Sequence, residues 1–283
     1  MLSLHTNNAA LSAQSSISKT QSSLSTSMTR LSTGYRINSA MDDAAGLQIA
    51  SRLKAQSSGM AVAMRNTQNA TSMLQTGEGA LDEVSNMLIR MKDLATQAAD
   101  ASSTAADKTA MQSEYDALGK ELGNVLKNTT FGGKTLLAGG TIAASMTFQI
   151  GASSSETMAV DLTADMASVV TDVTSATANY ASATTGTELT SAANGSIAKL
   201  DTALASVNKV RSGLGAAANR LDHVYNNLSN ISSNTKAATG LIMDVDFATE
   251  SSNMTSNQML LQAGTAMLKQ TNSMSSMVMS LLQ

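Results

Sequence analysis

Cysteine, proline and tryptophan are absent from this chain of 283 residues, and aromatic side chains make up only 2% of it. Without cysteine there is neither a disulfide nor a thiolate metal site, and the redox compartment stays open. Without proline, the commonest helix breaker is missing throughout. So few large rings make a globular core hard to fill. Helix seams, by contrast, accept Leu, Met, Val and Ala, and Met occurs 19 times. Charge is scarce at both ends. Residues 1–29 carry one basic side chain, Lys19, and no acid, and from Ser251 onward the single charged side chain is Lys269. A soluble monomer normally clothes its exposed helices in Lys and Glu, so two bare terminal helices call for partners.

The net charge of -3, with no basic cluster, argues against nucleic-acid binding. No apolar run approaches the roughly 18 residues of a membrane-spanning helix, so membrane insertion is not expected. Met1 to Ala13 has neither the basic nor the apolar region of a secretory signal. Export is expected to leave the N-terminus uncleaved.

What the chain does have is a seven-residue step. Leu53, Met60, Thr67, Leu74, Leu81, Leu88 and Ala95 form one ladder, with Gln56, Ala63, Ala70, Gly77, Val84, Met91 and Ala98 three residues on. Residues 53–98 would make a helix about 70 Å long. A second ladder runs Leu200, Val207, Leu214, Leu221, Leu228, Thr235 and Ile242, with Ala203, Val210, Ala217, Val224, Ile231, Ala238 and Val245 beside it. Two seams of similar length most simply pack along each other. Between them, Met111, Tyr115, Leu118, Leu122 and Val125 predict a shorter helix after a turn at 100–106. Met146, Phe148 and Ile150 alternate, as do Met158, Val160 and Leu162, around a Gly/Ser turn. That predicts a β-hairpin at about 141–162. Residues 163–190 show no clear period and read as a surface connection. Ile17, Leu24 and Leu31 repeat at seven near the start, and Leu260, Met267, Met274 and Leu281 near the end.

The expected fold is therefore mainly α: a long antiparallel helical coiled-coil rod with a small β-hairpin region and paired N- and C-terminal helices. Its segments are 1–42, 43–243 and 244–283.

At this point four stretches resemble bacterial flagellin: Leu31 to Gly46, Arg211 to Leu221, Asp244 to Met254, and the ending Ser280 to Gln283. They stand in the family's order and cover roughly 1–162 and 190–283. With only 163–190 where larger members insert outer domains, the chain resembles a short flagellin lacking them. The resemblance implies a subunit exported by the flagellar type III pathway and polymerised into a filament for swimming motility. Ile17, Leu24, Leu31, Leu260, Met267, Met274 and Leu281 would then serve assembly, and residues 1–40 and 245–283 would be disordered until copies assemble. It also implies partners: an export chaperone reading Met254 to Leu282, and filament cap and hook-junction proteins. Cytosolic immune sensors would read the tail. Arg90, Leu94, Gln97 and Glu114 resemble the contact for a vertebrate Toll-like receptor, with Arg90, Leu94 and Gln97 on one helix stripe off the seam. Gly34, Asn38, Asp42, Asp43 and Gly46 would form the junction between two filament layers, its glycines giving flexibility.

No catalytic or metal site is expected, and no cofactor. His5 and His223 lie on opposite arms without zinc-ligand spacing. Asp42–Asp43 and Asp82–Glu83 could do acid–base work in principle, but helix-end electrostatics is the plainer role. Alternatives are a hook–filament junction protein, a scaffold coiled coil, or an enzyme embedded in 131–190.

Overall fold

The computed structural model describes residues 7–180 and 185–281, with side chains described as far as residue 274. Six α-helices and two short antiparallel strand pairs are described. They are α1 (Asn8–Thr33), α2 (Ala44–Ala99), α3 (Ala105–Asn128), β1 (Thr130–Phe131), β2 (Lys134–Thr135), β3 (Met146–Gln149), β4 (Thr157–Val160), α4 (Thr163–Ala176), α5 (Glu188–Met243) and α6 (Phe247–Leu281). The expected long packed helices and small hairpin are present. The chain divides into two compact units, Met1–Ser57 with Ser233–Gln283, and Ser58–Ser232, so that α2 and α5 each contribute to both.

In the unit of residues 58–232 the two ladders meet. Every position of the α2 seam from Met60 to Ala98 is buried, and so is the α5 seam from Leu200 to Leu221. The helices run antiparallel: Lys92 pairs with Asp201 at 2.6 Å and Arg211 with Asp82 at 2.8 Å, while Met60 and Ala63 cluster with Leu228. Gly77 is small for a reason, since a Cβ there would lie 2.5 Å from the Ile142 side chain. Each buried Leu, Val or Met contributes roughly 1.5–3 kcal/mol before chain entropy is subtracted.

α3 begins where Thr104 and Asp107 cap one another reciprocally: the Asp107 N–H donates to Thr104 Oγ1 and the Thr104 N–H to Asp107 Oδ2. β1 and β2 enclose Gly132 and Gly133, both at positive φ (58° and 82°), the pair a two-residue hairpin turn requires. The larger hairpin pairs Met146 with Val160 and Phe148 with Met158, as the alternation indicates.

One expectation is corrected. Much of 163–190 is not irregular surface connection: Thr163–Ala176 is helical and buries Met166, Val169, Val173 and Ala176. These stand at i, i+3, i+7 and i+10, but Ala, Ser and Thr around them dilute the signal. Thr171 and Thr174 satisfy their hydroxyls on the carbonyls of Ala167 and Val170. A polar knot follows. Asp116 accepts from Gln112 and Asn179 side chains at 2.7 Å each and from the Gly186 N–H at 3.1 Å, while Glu188 accepts from the Ala178 N–H at 2.7 Å. Tyr115, fully buried, donates its hydroxyl to the Ala176 carbonyl, and burial raises its pKa.

Candidate functional site

The unit of residues 1–57 and 233–283 is built on α1 and α6, and it buries little. Among its described side chains, α1 buries Leu24 and Ser27, and α6 buries Glu250. The helices run antiparallel. The Asn7 side chain donates to the Thr271 carbonyl at 3.4 Å, Ile17 lies against Gly264, and Arg30 faces Glu250 at 3.8 Å. Across their described residues α1 and α6 are helical, and what they lack is cover rather than secondary structure.

The two predicted assembly ladders meet different fates. Ile17 and Leu31 are half-buried and Leu24 is buried, all on the side of α1 that meets α6. On α6, Leu260, Met267 and Met274 are 59%, 62% and 55% exposed. The face that covers α1 is instead Met254, Asn257, Leu261, Gly264, Leu268 and Thr271, each half-buried. Met254, Leu261 and Leu268 also step by seven, about 100° around the helix from the exposed ladder. That second ladder is equally legible in the sequence, although the expected assembly face names only the first. Leu281 and the tail beyond 274 lie outside the described side chains, as does His5. Leu11 and Met28 on α1 are likewise more than half exposed.

Between the helices stands a junction held by directed hydrogen bonds. Gly34 ends α1 at φ 76°, a left-handed cap whose N–H reaches the Arg30 carbonyl at 2.9 Å. Tyr35 then bridges antiparallel to Asp244. Beside that bridge the Arg36 N–H donates to the Met243 carbonyl, the Val245 N–H to the Gly34 carbonyl, and the Arg36 guanidinium to the Ile242 carbonyl. Asn38 donates its amide to the Tyr35 carbonyl at 3.0 Å. Asp42 Oδ2 collects the N–H groups of Ser39 and Asn38 and the Ser39 hydroxyl, which together hold its carboxyl below the usual range.

Asp43 starts α2 by accepting the Gly46 N–H at 2.8 Å, the helix-end role expected of it. Gly46 leaves room for that carboxylate and for buried Ile37; a Cβ there would lie 2.5 Å and 2.8 Å from them. Here the two junction glycines serve a left-handed cap and a close approach. Asp246 repeats the device on α6, taking the Thr249 hydroxyl at 2.7 Å and the Ala248 N–H at 3.0 Å, so its pKa too is lowered. Arg36, Asp246 and Glu250 were not singled out as site residues. An Asp immediately before a helical run is the available signal for Asp246.

The receptor-like stripe is only partly on the surface. Arg90 Nη2 pairs with Glu114 Oε1 at 2.7 Å, both side chains about half exposed, and Gln97 is exposed. Leu94 is 2% exposed, in the same buried cluster as Met111, Tyr115 and Leu189. Reading the stripe as open is corrected at that position: α2 is apolar on more than its seam, because further elements pack beside it. His223 is exposed. Among the described residues no three His, Asp or Glu gather where a metal could bind, and no helix is long and apolar enough to cross a membrane.

The profile of the bacterial flagellin N-terminal helical region matches residues 4–141, and that of the C-terminal helical region matches 197–282. Flagellin A of Vibrio anguillarum is 34% identical over 379 aligned positions, covering 100% of both chains. Since those positions outnumber this chain's 283 residues, the relative carries segments that this chain lacks. Flagellin of Halalkalibacterium halodurans is 38% identical over 257 positions, 90% of each chain. Among solved structures, a putative flagellar hook-associated protein from Vibrio parahaemolyticus has a similar fold. Its TM-score is 0.58 at 18% identity, over 71% of this chain and 99% of that one.

Proposed function

Because this chain belongs to the bacterial flagellin family, as a form lacking the outer domains, we propose that it polymerises into the flagellar filament that drives swimming. Membership of that family makes it a structural subunit of the filament. The observation that carries the mechanism is the exposed ladder Leu260–Met267–Met274 on a helix almost free of charge. Burying each such side chain against another copy contributes about 1.5–3 kcal/mol. An isolated pair of helices with three buried residues between them is weakly held, and contact with further copies supplies the missing burial. A heterologous contact that does not close into a ring propagates as a helical polymer.

The junction fits the role of fixing how the terminal helix pair is presented, since seven hydrogen bonds to named atoms converge between Gly34 and Val245 and around Asp42. Export through the flagellar type III route follows as part of the same reading. So do a chaperone that covers the apolar face of α6 beforehand, and cap and hook-junction proteins that share the terminal-helix contact. Recognition by a vertebrate Toll-like receptor would rest on Arg90, Gln97 and Glu114, with Leu94 shaping the helix from inside. Likeness to a hook-associated protein at 18% identity concerns fold alone and gives the junction-protein alternative no footing.

The test is seeded polymerisation of purified chain, followed by electron microscopy. Wild type should form long filaments. Met267→Asp with Met274→Asp should form none while keeping its melting transition, because both side chains are solvent-facing in the single chain. Filaments of normal length from that variant would remove the ladder from the assembly surface.

A further inference from the structure

The methionines divide between the units. Met60, Met87, Met91, Met111, Met146, Met158 and Met166 are buried, all within residues 58–232. The described methionines that are more than half exposed, Met28, Met41, Met259, Met267 and Met274, all lie in the other unit. Three of these five stand on α6, and two of them on the ladder that the proposed function assigns to self-association. The chain has no cysteine, so no thiol intercepts an oxidant before these thioethers do.

We propose that Met259, Met267 and Met274 form a redox modification site: hydrogen peroxide converts their thioethers to sulfoxides and so blocks self-association of the free subunit. This rests on the polymerisation reading above. In the reaction a sulfur lone pair attacks one peroxide oxygen, an S–O bond forms and the O–O bond breaks. The departing hydroxide takes the proton from the new S–OH group and leaves as water. Sulfur is oxidised by two electrons and the peroxide is reduced by two. The product is a polar acceptor where the subunit contact needs an apolar side chain, with no donor brought to satisfy it. Buried methionines of the other unit are shielded from the same reagent, so its fold is spared. Once α6 is covered in the polymer the sulfurs are shielded as well, which makes the unassembled chain the sensitive form.

The experiment treats the full-length monomer with hydrogen peroxide, removes it, maps sulfoxides by peptide mass, and measures the critical concentration of seeded polymerisation. Sulfoxide should appear at Met259, Met267 and Met274 ahead of Met91 and Met166, and the critical concentration should rise about tenfold or more. In a variant carrying Met259→Leu, Met267→Leu and Met274→Leu, peroxide should leave the critical concentration at that variant's own untreated value, whatever that value is, while Met28→Leu with Met41→Leu should stay sensitive. Methionine sulfoxide reductases of both epimer specificities should restore the oxidised wild type, a readout independent of whether the Leu variant assembles.

Unchanged polymerisation of wild type carrying sulfoxide at these three positions overturns the proposal. So does a Leu variant that loses assembly on peroxide as wild type does, or a failure of the reductases to restore it. Failure of untreated wild type to polymerise overturns the functional reading itself, a distinct result.

Discussion

In residues 58–232 the seven-residue ladders of α2 and α5 face each other and close a core, with α3, the hairpins and α4 adding to it. In residues 1–57 and 233–283 a ladder of the same period on α6 faces solvent, and three residues are buried between α1 and α6. Periodicity reports that a helix face seeks cover. It does not say whether the cover comes from the same molecule. What separates the two cases is charge: Lys92–Asp201 and Arg211–Asp82 flank the satisfied seam, whereas α6 beyond Glu250 carries Lys269 alone. An apolar ladder without flanking charge is therefore the better sequence sign of a face left for other copies.

The sharpest way to break this comparison is to delete equal chemistry from each unit. Leu88→Ala in the closed core should cost about 2–5 kcal/mol and lower the melting temperature visibly in calorimetry. Leu24→Ala should leave that transition in place and appear as faster amide exchange along α1, with weaker polymerisation. If both variants lower the same transition equally, the units are not energetically separate.

Much of this contrast was readable from residue order, and the parts that were not have physical causes. The α2 and α5 seams and the hairpin register follow from periods of seven and two, which need only neighbours in sequence. α6 carries two apolar ladders, Met254–Leu261–Leu268 and Leu260–Met267–Met274, and period alone cannot say which meets α1. The choice depends on Gly264, whose missing side chain lets Ile17 approach. α4 was hidden because Thr and Ser, poor helix formers in isolation, surround its four buried positions. The Asp116 knot joins residues 63 and 70 positions apart, a coincidence no local pattern announces. Leu94 is covered in the same way, by residues distant in sequence such as Leu189 that share its buried cluster.

A smaller effect should come from the caps. Asp246→Ala removes the acceptor for the Ala248 N–H and the Thr249 hydroxyl, and exchange at the start of α6 should quicken several-fold, with Asp246→Asn restoring part of the protection. Acid should act alike. The carboxyls of Asp42, held down chiefly by the Ser39 N–H, and of Asp246, held down chiefly by the Thr249 hydroxyl, both have folded pKa values below the ordinary 3.8. Their stabilisation is fully present above that value and is lost as pH falls below it through the lowered folded values. Amide exchange at the junction should therefore quicken below pH 3.8 before the closed core responds, and in the paired Asp42→Asn, Asp246→Asn variant that pH step should disappear.

The least change is expected at Arg90. Its pair with Glu114 is short but half exposed, and exposed pairs of this kind contribute at most about 1 kcal/mol and are screened by salt. Arg90→Ala should leave melting within about 1 kcal/mol of wild type and leave polymerisation untouched, because the residue belongs to the closed unit and not to the uncovered ladder. A receptor-activation assay on the same variant then isolates recognition from folding and from assembly. Full activation by Arg90→Ala would remove this pair from the receptor contact; reduced activation with an unchanged melt and unchanged filaments would place recognition on the flank of a core that Leu94 holds in shape from beneath.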